Sequence, residues 1–407
     1  MDERLSASRV PGPVTGESTA AVEDSAAAGG GSDTGGYAAA ALRGVHAAAL
    51  ASLPRSSPRR LDRLLSGRDP AEVWAEVMRG GVAASVADGE VRAHWSAHSR
   101  GVDLAAVAEK LESLDAWVTT PASVQHPTAV ACDIDPAPVL FRRGRVPDPA
   151  APAVAIVGTR RCTPTGRSVA MELGSGLAAA GVTVVSGLAL GIDGAAHRGA
   201  LAAEGAPVVG VVGSGLDVVY PRGNRDLWDA VGASGTLLTE APLGAEPEGW
   251  RFPARNRLLA ALADVVVVVE SKRAGGSMHT VEEAVRRAVT VMAVPGSVRN
   301  PAAAGTNLLL SEGCAPACCN DDVLVALGLA TAGAADGPAE PARPAGGVGL
   351  DPLQQRLLEL LDDGPASLDV LVLRAAAPVP EVLVAAEGLE RLGLLARDGA
   401  RVLRAWG

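Results

Sequence analysis

The chain has 407 residues, which is longer than one typical domain and predicts two or three. Apolar residues make up 48% of it and aromatic residues only 2%, which favours helices layered on a parallel sheet over an aromatic-rich β-sandwich. The net charge of −10 argues at first against a nucleic-acid partner, but the acidic excess is concentrated in the two ends and the arginines cluster in the middle.

The sequence offers no sign of export or membrane insertion. Five cysteines are too few for a disulfide framework in a chain of this size. The first residues have no apolar core of the signal-peptide type, and no stretch approaches the roughly 18 apolar residues of a membrane span. We therefore expect a cytoplasmic protein that does not contact a membrane.

The N-terminal part is predicted to be a tail followed by a small helical domain. Residues 1–36 are low-complexity Ala, Gly, Ser, Thr and acid, and predict a disordered tail. Helical periodicity then runs through ALRGVHAAALASL and PRSSPRRLDRLLSGRDPAEVWAEVMRG, with SGRDP as a break between helices. We assign residues 37–125 to this helical domain.

Residues 126–330 are predicted to form a doubly wound, Rossmann-like α/β core. After a short strand in PAPVLFRRGRV come six apolar runs separated by helical segments: AVAIVG (153–158), VTVVSG (182–187), PVVGVVG (207–213), TLLTE (236–240), DVVVVVE (264–270) and TVMAVPG (290–296). These runs do not alternate between apolar and polar residues, so they are expected to be buried on both faces, as parallel strands are.

The remaining residues are interpreted as a linker and a winged-helix domain. Residues 331–349 are rich in Ala, Pro and Gly and predict a linker. Residues 350–407 follow the order helix, helix, helix and a β-hairpin around Asp398 and Gly399, which is the order of a winged helix.

Arginine-containing loops after the strands predict an anion-binding edge. GTRR, SGLALG, YPRGNR and FPARNR would all lie at the carboxyl edge of a parallel sheet. Glycine lets backbone N–H groups approach an anion, and arginine binds phosphate in a bidentate way. Four such loops exceed the needs of one mononucleotide, so we expect a strand of nucleic acid. No GxGxxG follows a strand and no GxxxxGK[ST] occurs, so no cofactor is predicted.

Several candidate residues have a simpler structural interpretation. Taken alone, Arg160 and Arg161 are typical of solvated surface. Asp193 is interpreted as a helix cap with His197, four residues later, as its partner. Neither CAPACC, with its three cysteines, nor HWSAH has the ligand spacing of a metal site, so no metal is predicted.

The segments GTRRCTPTGRSVA, VVSGLALGIDGAAHRGAL, GSGLDVVYPRGNRDL, FPARNRLLAAL and VMAVPGS closely resemble the DNA processing protein A family (DprA, also called Smf) over about residues 150–325. The helices near the N-terminus resemble the sterile-alpha-motif-like domain of that family, and residues 350–407 resemble its winged helix. The resemblance implies a homodimeric, cytosolic protein, and the sequence shows no nucleophile, base or metal set, so no catalysis is predicted. Such a protein would bind and shield single-stranded DNA and load the RecA recombinase onto it in natural transformation.

The resemblance and the arginine loops together predict a set of DNA-binding residues. They are Gly158, Arg160, Arg161, Ser186, Gly187, Gly191, Arg222, Asn224, Arg225, Arg255, Asn256, Arg257, Lys272 and Arg273. The family commonly has a basic residue where this chain has Leu190, and Lys272 and Arg273 are expected to supply the missing charge. Contacts to phosphate would make binding tolerant of sequence and sensitive to salt.

An enzyme is the alternative hypothesis. AGGSMHTVEE (274–283) resembles the PGGxGTxxE loop of nucleoside-monophosphate phosphoribohydrolases labelled lysine decarboxylase-like, in which a glutamate assists cleavage of a glycosidic bond. Glu282 or Glu283 would take that role. The loop has Met278 and His279 where that pattern requires Gly-Thr, so a binding protein remains the leading interpretation.

Overall fold

The N-terminal part of the chain is helical because capping residues start its helices. The computed structural model describes residues 34–329 and 350–404, apart from residues 147, 204, 363, 365, 393, 399 and 400. Asp69, Asp88 and Asp103 each accept a hydrogen bond from a backbone N–H in the first turn of the helix that follows. The helices are α1 (Thr34–Ala51), α2 (Pro58–Leu65), α3 (Pro70–Arg79), α4 (Gly89–Ser99) and α5 (Leu104–Ser113).

The first helix begins slightly before the predicted end of the disordered tail. Helix α1 begins at Thr34, three residues inside the segment predicted to be disordered. The alanine-rich run that follows has high helix propensity, and helix formation propagates easily from such a run. The rest of the predicted tail and the predicted linker at 331–349 lie outside the described residues.

The described residues form a nine-stranded sheet in the order β1-β2-β6-β5-β4-β3-β7-β8-β9. The six strands from β3 to β8 pair in parallel and coincide with the six predicted apolar runs. The strands are β1 (Ala116–Thr119), β2 (Leu140–Gly144), β3 (Ala153–Val157), β4 (Thr183–Ser186), β5 (Val209–Val211), β6 (Thr236–Thr239), β7 (Val265–Val268), β8 (Thr290–Ala293) and β9 (Ala315–Pro316).

Helices cover both faces of this sheet, so its strands alternate between two cores. In β3, Val154 and Ile156 belong to one apolar cluster, whereas Ala155 and Val157 belong to the other. The predicted doubly wound α/β class is therefore confirmed. The helices of this part are α6 (Thr128–Ala131), α7 (Pro164–Ala179), α8 (Ile192–Ala202), α9 (Arg225–Ser234), α10 (Arg251–Ala261), α11 (Met278–Arg286), α12 (Ala304–Ser311) and α13 (Asn320–Ala326), with 3₁₀ turns at Arg222–Asn224 and Pro301–Ala303.

The sheet begins earlier in the chain than predicted. Strand β1 falls inside the segment assigned to the helical domain, yet it pairs antiparallel with β2, which in turn pairs antiparallel with β6. A four-residue strand carries too little periodicity to be recognised, and its pairing is long-range. We therefore place the start of the core at β1 rather than at residue 126.

The C-terminal part has its own apolar core, with Leu357, Leu371, Val382 and Leu389 buried together. The order of its elements is the predicted one with a short strand added, and the winged-helix assignment stays a prediction. The elements are α14 (Pro352–Asp362), β10 (Ala366–Ser367), α15 (Leu368–Ala375), α16 (Val379–Arg391), β11 (Leu395–Asp398) and β12 (Arg401–Arg404). The turn of the predicted hairpin falls at residues outside those described.

Candidate nucleic-acid interface

The predicted arginine loops meet at the carboxyl edge of the parallel strands. The backbone N–H of Ile192 donates to the carbonyl of Thr159 at 3.3 Å, which joins the loops after β3 and β4. The Asn224 amide joins the loop after β5 to them, because it donates to the carbonyls of Leu188 and Ala189 at 3.0 and 3.1 Å. These loops and the start of α10 are called the sheet-edge cluster below.

Helix α10 enters the cluster through two side chains. The Arg255 guanidinium lies so close to Gly187 that a Cβ atom there would be 1.7 Å from Nη1. The Arg160 guanidinium carbon lies 4.9 Å from the centroid of the Phe252 ring, at cation–π distance. Because both arginines reach the same edge, the predicted convergence of the loops is found in the fold.

Arg255 is the most unusual side chain of the cluster. It is only 6% exposed, and its Nε and Nη1 atoms have no hydrogen-bond partner among the described residues. Burial lowers its pKa, while the charge of the buried Asp193 carboxylate opposes that shift. Unmade hydrogen bonds to a buried charged group are costly, so this guanidinium is suited to an anionic ligand.

Glycine is required at three positions where backbone segments meet. A Cβ atom at Gly158 would lie 2.6 Å from the Ile192 side chain, and one at Gly191 would lie 2.3 Å from the carbonyl oxygen of Thr159. Gly191 also has a φ of 81°, which disfavours other residues. Together with Gly187, these glycines allow the loops to approach one another closely.

Four predicted arginines are exposed at the cluster. Arg160 and Arg161 follow β3, Arg222 lies in the 3₁₀ turn after β5, and Arg225 begins α9. Leu190, which stands where a basic residue was expected, is 47% exposed. The cluster therefore presents several cations to solvent, and the charge of one of them, Arg160, helps to lower the pKa of the buried Arg255.

Three predicted contact residues have internal partners instead. The Ser186 hydroxyl donates to a carbonyl of β3 at 2.6 Å, and Ser186 is fully buried. Asn224 holds the loop after β4, as described above, and Asn256 donates to the carbonyl of Gly276 at 3.3 Å. These bonds hold the loops of the cluster in place, and a DNA contact by any of the three residues stays a prediction.

Arg257 also differs from its predicted role. Its guanidinium forms an ion pair with Glu240 at 2.5 Å and donates to the carbonyl oxygen of Asp135 at 2.5 Å. Both side chains of the pair are at least 86% buried, since their exposed fractions are 10% and 14%. Helical geometry explains the difference, because residues two apart on α10 face different directions.

Lys272 and Arg273 lie in the loop after β7 and are exposed. That loop adjoins the cluster, because the backbone N–H of Thr159 donates to the carbonyl of Glu270 at 2.7 Å. None of the contacts of the described residues brings the two cationic side chains onto the arginines of the cluster. Their compensation for Leu190 stays a prediction.

Aromatic side chains are the feature that the sequence analysis missed. The Tyr220 and Phe252 rings lie with their centroids 5.4 Å apart, and Trp250, which is 55% exposed, stacks with Arg251 at 4.5 Å. The signal was present, because these residues stand in the same loops as the arginines. Aromatic residues are rare in this chain, so their concentration at one edge is informative.

The predicted pair of Asp193 and His197 is not formed. Asp193 does lie in the first turn of α8, but it makes no side-chain cap bond. Burial raises its pKa, while the Arg255 charge and backbone hydrogen bonds from Gly187 and Gly158 oppose the shift. The His197 ring lies 3.2 Å from the carbonyl oxygen of Val209 through Nε2.

His197 provides a pH test of this packing. Burial lowers its pKa from 6.5 to about 4, so the folded protein keeps it neutral while the unfolded chain takes up a proton below pH 6.5. Its contribution to stability is therefore lost as the pH falls. Between about pH 6.5 and pH 5, we expect wild type to lose roughly 2 kcal/mol more unfolding free energy than His197→Gln, measured by urea unfolding. Parallel pH profiles would contradict the assignment.

The glutamates of the alternative enzyme hypothesis are engaged in ion pairs. Glu283 pairs with Arg286 at 2.9 Å and also with Arg287, and Glu282 lies 3.3 Å from the His279 ring. Arg287 is held in addition by Asp133 at 2.7 Å. A network of this kind uses Glu283 to stabilise α11, and it favours a structural role over a catalytic one.

The fold and this edge define a Rossmann-like α/β protein whose parallel strands end in an arginine-lined cluster. Residues 117–328 match the sequence model of the DNA recombination-mediator protein A family, and the chain belongs to that family. No helix in the described ranges is long and apolar enough to cross a membrane.

Relatives from several bacteria support this membership. A DprA protein of Mycobacterium tuberculosis is 40% identical over 267 residues, which cover 64% of this chain and 67% of the relative. The DNA processing protein DprA of Streptococcus pneumoniae is 39% identical over 193 residues, covering 47% and 68%. The X-ray structure of DprA from S. pneumoniae aligns with a TM-score of 0.59 at 28% identity, covering 70% of this chain and 97% of that one. The predicted resemblance is confirmed.

Proposed function

We propose that this protein binds single-stranded DNA at the sheet-edge cluster, shields it, and loads the RecA recombinase onto it during natural transformation. The observation that carries the proposal is the Arg255 guanidinium of helix α10, buried against the loop after β4 and lacking hydrogen-bond partners at two nitrogens within the described structure. Membership of a DNA-processing family agrees with it. We also propose a homodimer in the cytoplasm, as the family resemblance implies.

The cluster is suited to a single strand rather than a duplex. Arg160, Arg161, Arg222 and Arg225 are exposed and would contact successive phosphates. Tyr220 and Trp250, beside them, are exposed enough to stack on unpaired bases, which a duplex keeps inside its own stack. Phosphate contacts and stacking carry little base specificity, so binding would tolerate many sequences.

The experiment is fluorescence anisotropy with oligo(dT) of increasing length and a matched duplex, repeated over a range of salt. We expect tighter binding to the single strand, and an Arg160→Gln, Arg222→Gln double variant with a slope of log K against log salt shallower by about 1 to 2. Equal affinity for single strand and duplex at low salt would refute the proposal.

The C-terminal part is proposed to contact a protein rather than duplex DNA. Its second and third helices, α15 and α16, leave aliphatic side chains exposed: Val370 37%, Leu373 80%, Val379 54%, Leu383 42% and Val384 69%. Exposed apolar groups of this density are typical of protein interfaces. A helix that reads duplex DNA carries basic and polar side chains, whereas α16 carries acidic ones among its aliphatic residues.

A Leu373→Glu, Val384→Glu double variant tests this surface. We expect it to bind oligo(dT) like wild type, because its changes lie on a part of the chain with a separate core. RecA filament assembly on DNA coated with the variant should be at least about threefold slower, since a charge in an apolar contact is costly. Unchanged assembly would remove the proposed contact.

A further inference from the structure

A cavity of about 60 Å³ lies between the N-terminal helices and the sheet-edge cluster. Four parts of the chain form its walls: the segment from the end of α1 into α2, the two residues before β2, the segments after β5 and β6, and the first half of α10. The side chains that matter for its chemistry are Ser57, Glu240, Arg251 and Arg255. The cavity is therefore placed where a bound group would touch the helices and the sheet at once.

The cavity wall has an excess of hydrogen-bond donors. Arg251 Nε and Arg255 Nε and Nη1 are buried without partners in the described part of the chain. The Ser57 oxygen accepts a bond from a backbone N–H of α2 at 3.3 Å, which leaves its hydroxyl hydrogen available. Helix α2 begins at Pro58, also in the wall, so the positive end of its dipole lies there too.

Glu240 is the acidic residue among those that line the cavity, and burial makes its carboxyl harder to ionise. The Arg257 guanidinium is ion-paired with it from the other side. Burial raises the pKa of Glu240 to about 7, although the Arg257 charge opposes the shift, and the Asp133 and Asp135 carboxylates add to it. The raised pKa weakens the negative charge that an anionic ligand would meet at this wall.

The size of the cavity selects a small ligand. A water molecule requires roughly 10 to 15 Å³ of cavity volume, so about four to six heavy atoms fit in 60 Å³. A ligand that satisfies several donors with so few atoms must consist mostly of acceptor oxygens, and a phosphate group has four around one phosphorus.

We propose that this cavity binds one phosphate group, held by the guanidiniums of Arg251 and Arg255 and by the Ser57 hydroxyl. The group is either the terminal phosphate of a bound strand or free inorganic phosphate. A phosphate monoester carries one substituent, so the cavity walls can surround its other oxygens. A phosphodiester carries two, so the chain would have to pass out of the cavity in two directions. Only the strand-terminal case rests on the function proposed above.

The experiment compares wild type with Arg251→Gln, chosen because Arg251 is partly exposed and its loss should not prevent folding. Thermal unfolding is followed with inorganic phosphate and with chloride at equal ionic strength. Anisotropy is then measured with oligo(dT) carrying a 5′-phosphate or a 5′-hydroxyl. Arg222→Gln is the control, because it removes an exposed arginine of the cluster outside the cavity wall.

We expect phosphate to raise the wild-type Tm by about 2 °C or more over chloride, and Arg251→Gln to lose that rise. If the ligand is the end of the strand, wild type binds the 5′-phosphorylated oligonucleotide several-fold more tightly. Arg251→Gln then loses the preference, while Arg222→Gln weakens both oligonucleotides and keeps it. A phosphate-specific Tm rise without a 5′ preference supports the free ion.

Two results would overturn the site: no phosphate-specific rise together with no 5′ preference, or equal effects in wild type and Arg251→Gln. Failure of the proposed function is distinguishable from either of them. In that case neither oligonucleotide binds, whereas the Tm rise with inorganic phosphate remains.

Discussion

Arg255→Met is expected to weaken binding of oligo(dT) about 100-fold, which corresponds to about 2.7 kcal/mol. The guanidinium is buried where the loops converge and has donors without partners in the described structure, so a phosphate that reaches it gains charge-assisted hydrogen bonds away from water. Met keeps much of the aliphatic length and removes the charge.

The same substitution should leave the free protein almost as stable as wild type, within about 1 kcal/mol. Two unmade hydrogen bonds at a buried cation already destabilise the fold, and Met does not carry that cost. Asp193 loses an opposite charge, but burial already raises its pKa, so it can take up a proton. A binding residue that lowers stability is a common compromise at functional sites.

Anisotropy and urea unfolding on the same preparations measure both effects. Arg356→Met is the matched control, because Arg356 is an exposed arginine on α14 and its loss removes the same charge. If Arg255→Met and Arg356→Met bind equally well, Arg255 does not contact DNA. If Arg255→Met is strongly destabilised, its guanidinium has a structural role instead.

Arg257→Met is expected to have the opposite profile, with a loss of about 3 kcal/mol in unfolding free energy. Its ion pair with Glu240 and its bond to the carbonyl of Asp135 are both buried, so removal of the cation leaves two acceptors without a donor. DNA affinity per folded molecule should stay within about threefold of wild type, because the guanidinium faces Glu240.

The double variant Arg257→Met, Glu240→Leu separates the pair from its surroundings. Replacement of both partners by apolar groups removes the uncompensated charge, so we expect it to regain about 2 kcal/mol relative to Arg257→Met. Urea unfolding of wild type, Arg257→Met, Glu240→Leu and the double variant gives the coupling energy of the pair. If fully folded Arg257→Met binds DNA much more weakly than wild type, Arg257 contacts DNA directly.

Most of the parallel core could be predicted from the sequence. Six apolar runs of Val, Ile, Leu and Ala, each ended by Gly or Glu, became β3 to β8, because a strand buried on both faces must be apolar throughout. Strands β1, β9 and β10, at four, two and two residues, were missed. Their pairing depends on distant segments and leaves almost no local pattern.

The candidate site was predicted by region more reliably than by residue. The loops after β3, β4 and β5 meet as expected, because parallel strands bring their carboxyl ends to one edge, whereas FPARNR, predicted as a fourth loop, lies in the first half of helix α10. Within those loops, Asn224 and Ser186 are bonded internally and Tyr220 and Phe252 were overlooked. A local sequence motif shows which polar side chains a loop contains, but not which of them form hydrogen bonds within the protein.

The amino-acid order alone was enough for the α/β class, the chain positions of the parallel strands and the glycine-arginine loops, since each depends on neighbours in sequence. The different environments of Arg255 and Arg257 were revealed only by the tertiary structure. They stand two residues apart, yet one packs against Gly187 with unmet donors and the other meets Glu240. A buried charge is defined by the groups packed around it, and those groups are brought together only by long-range folding.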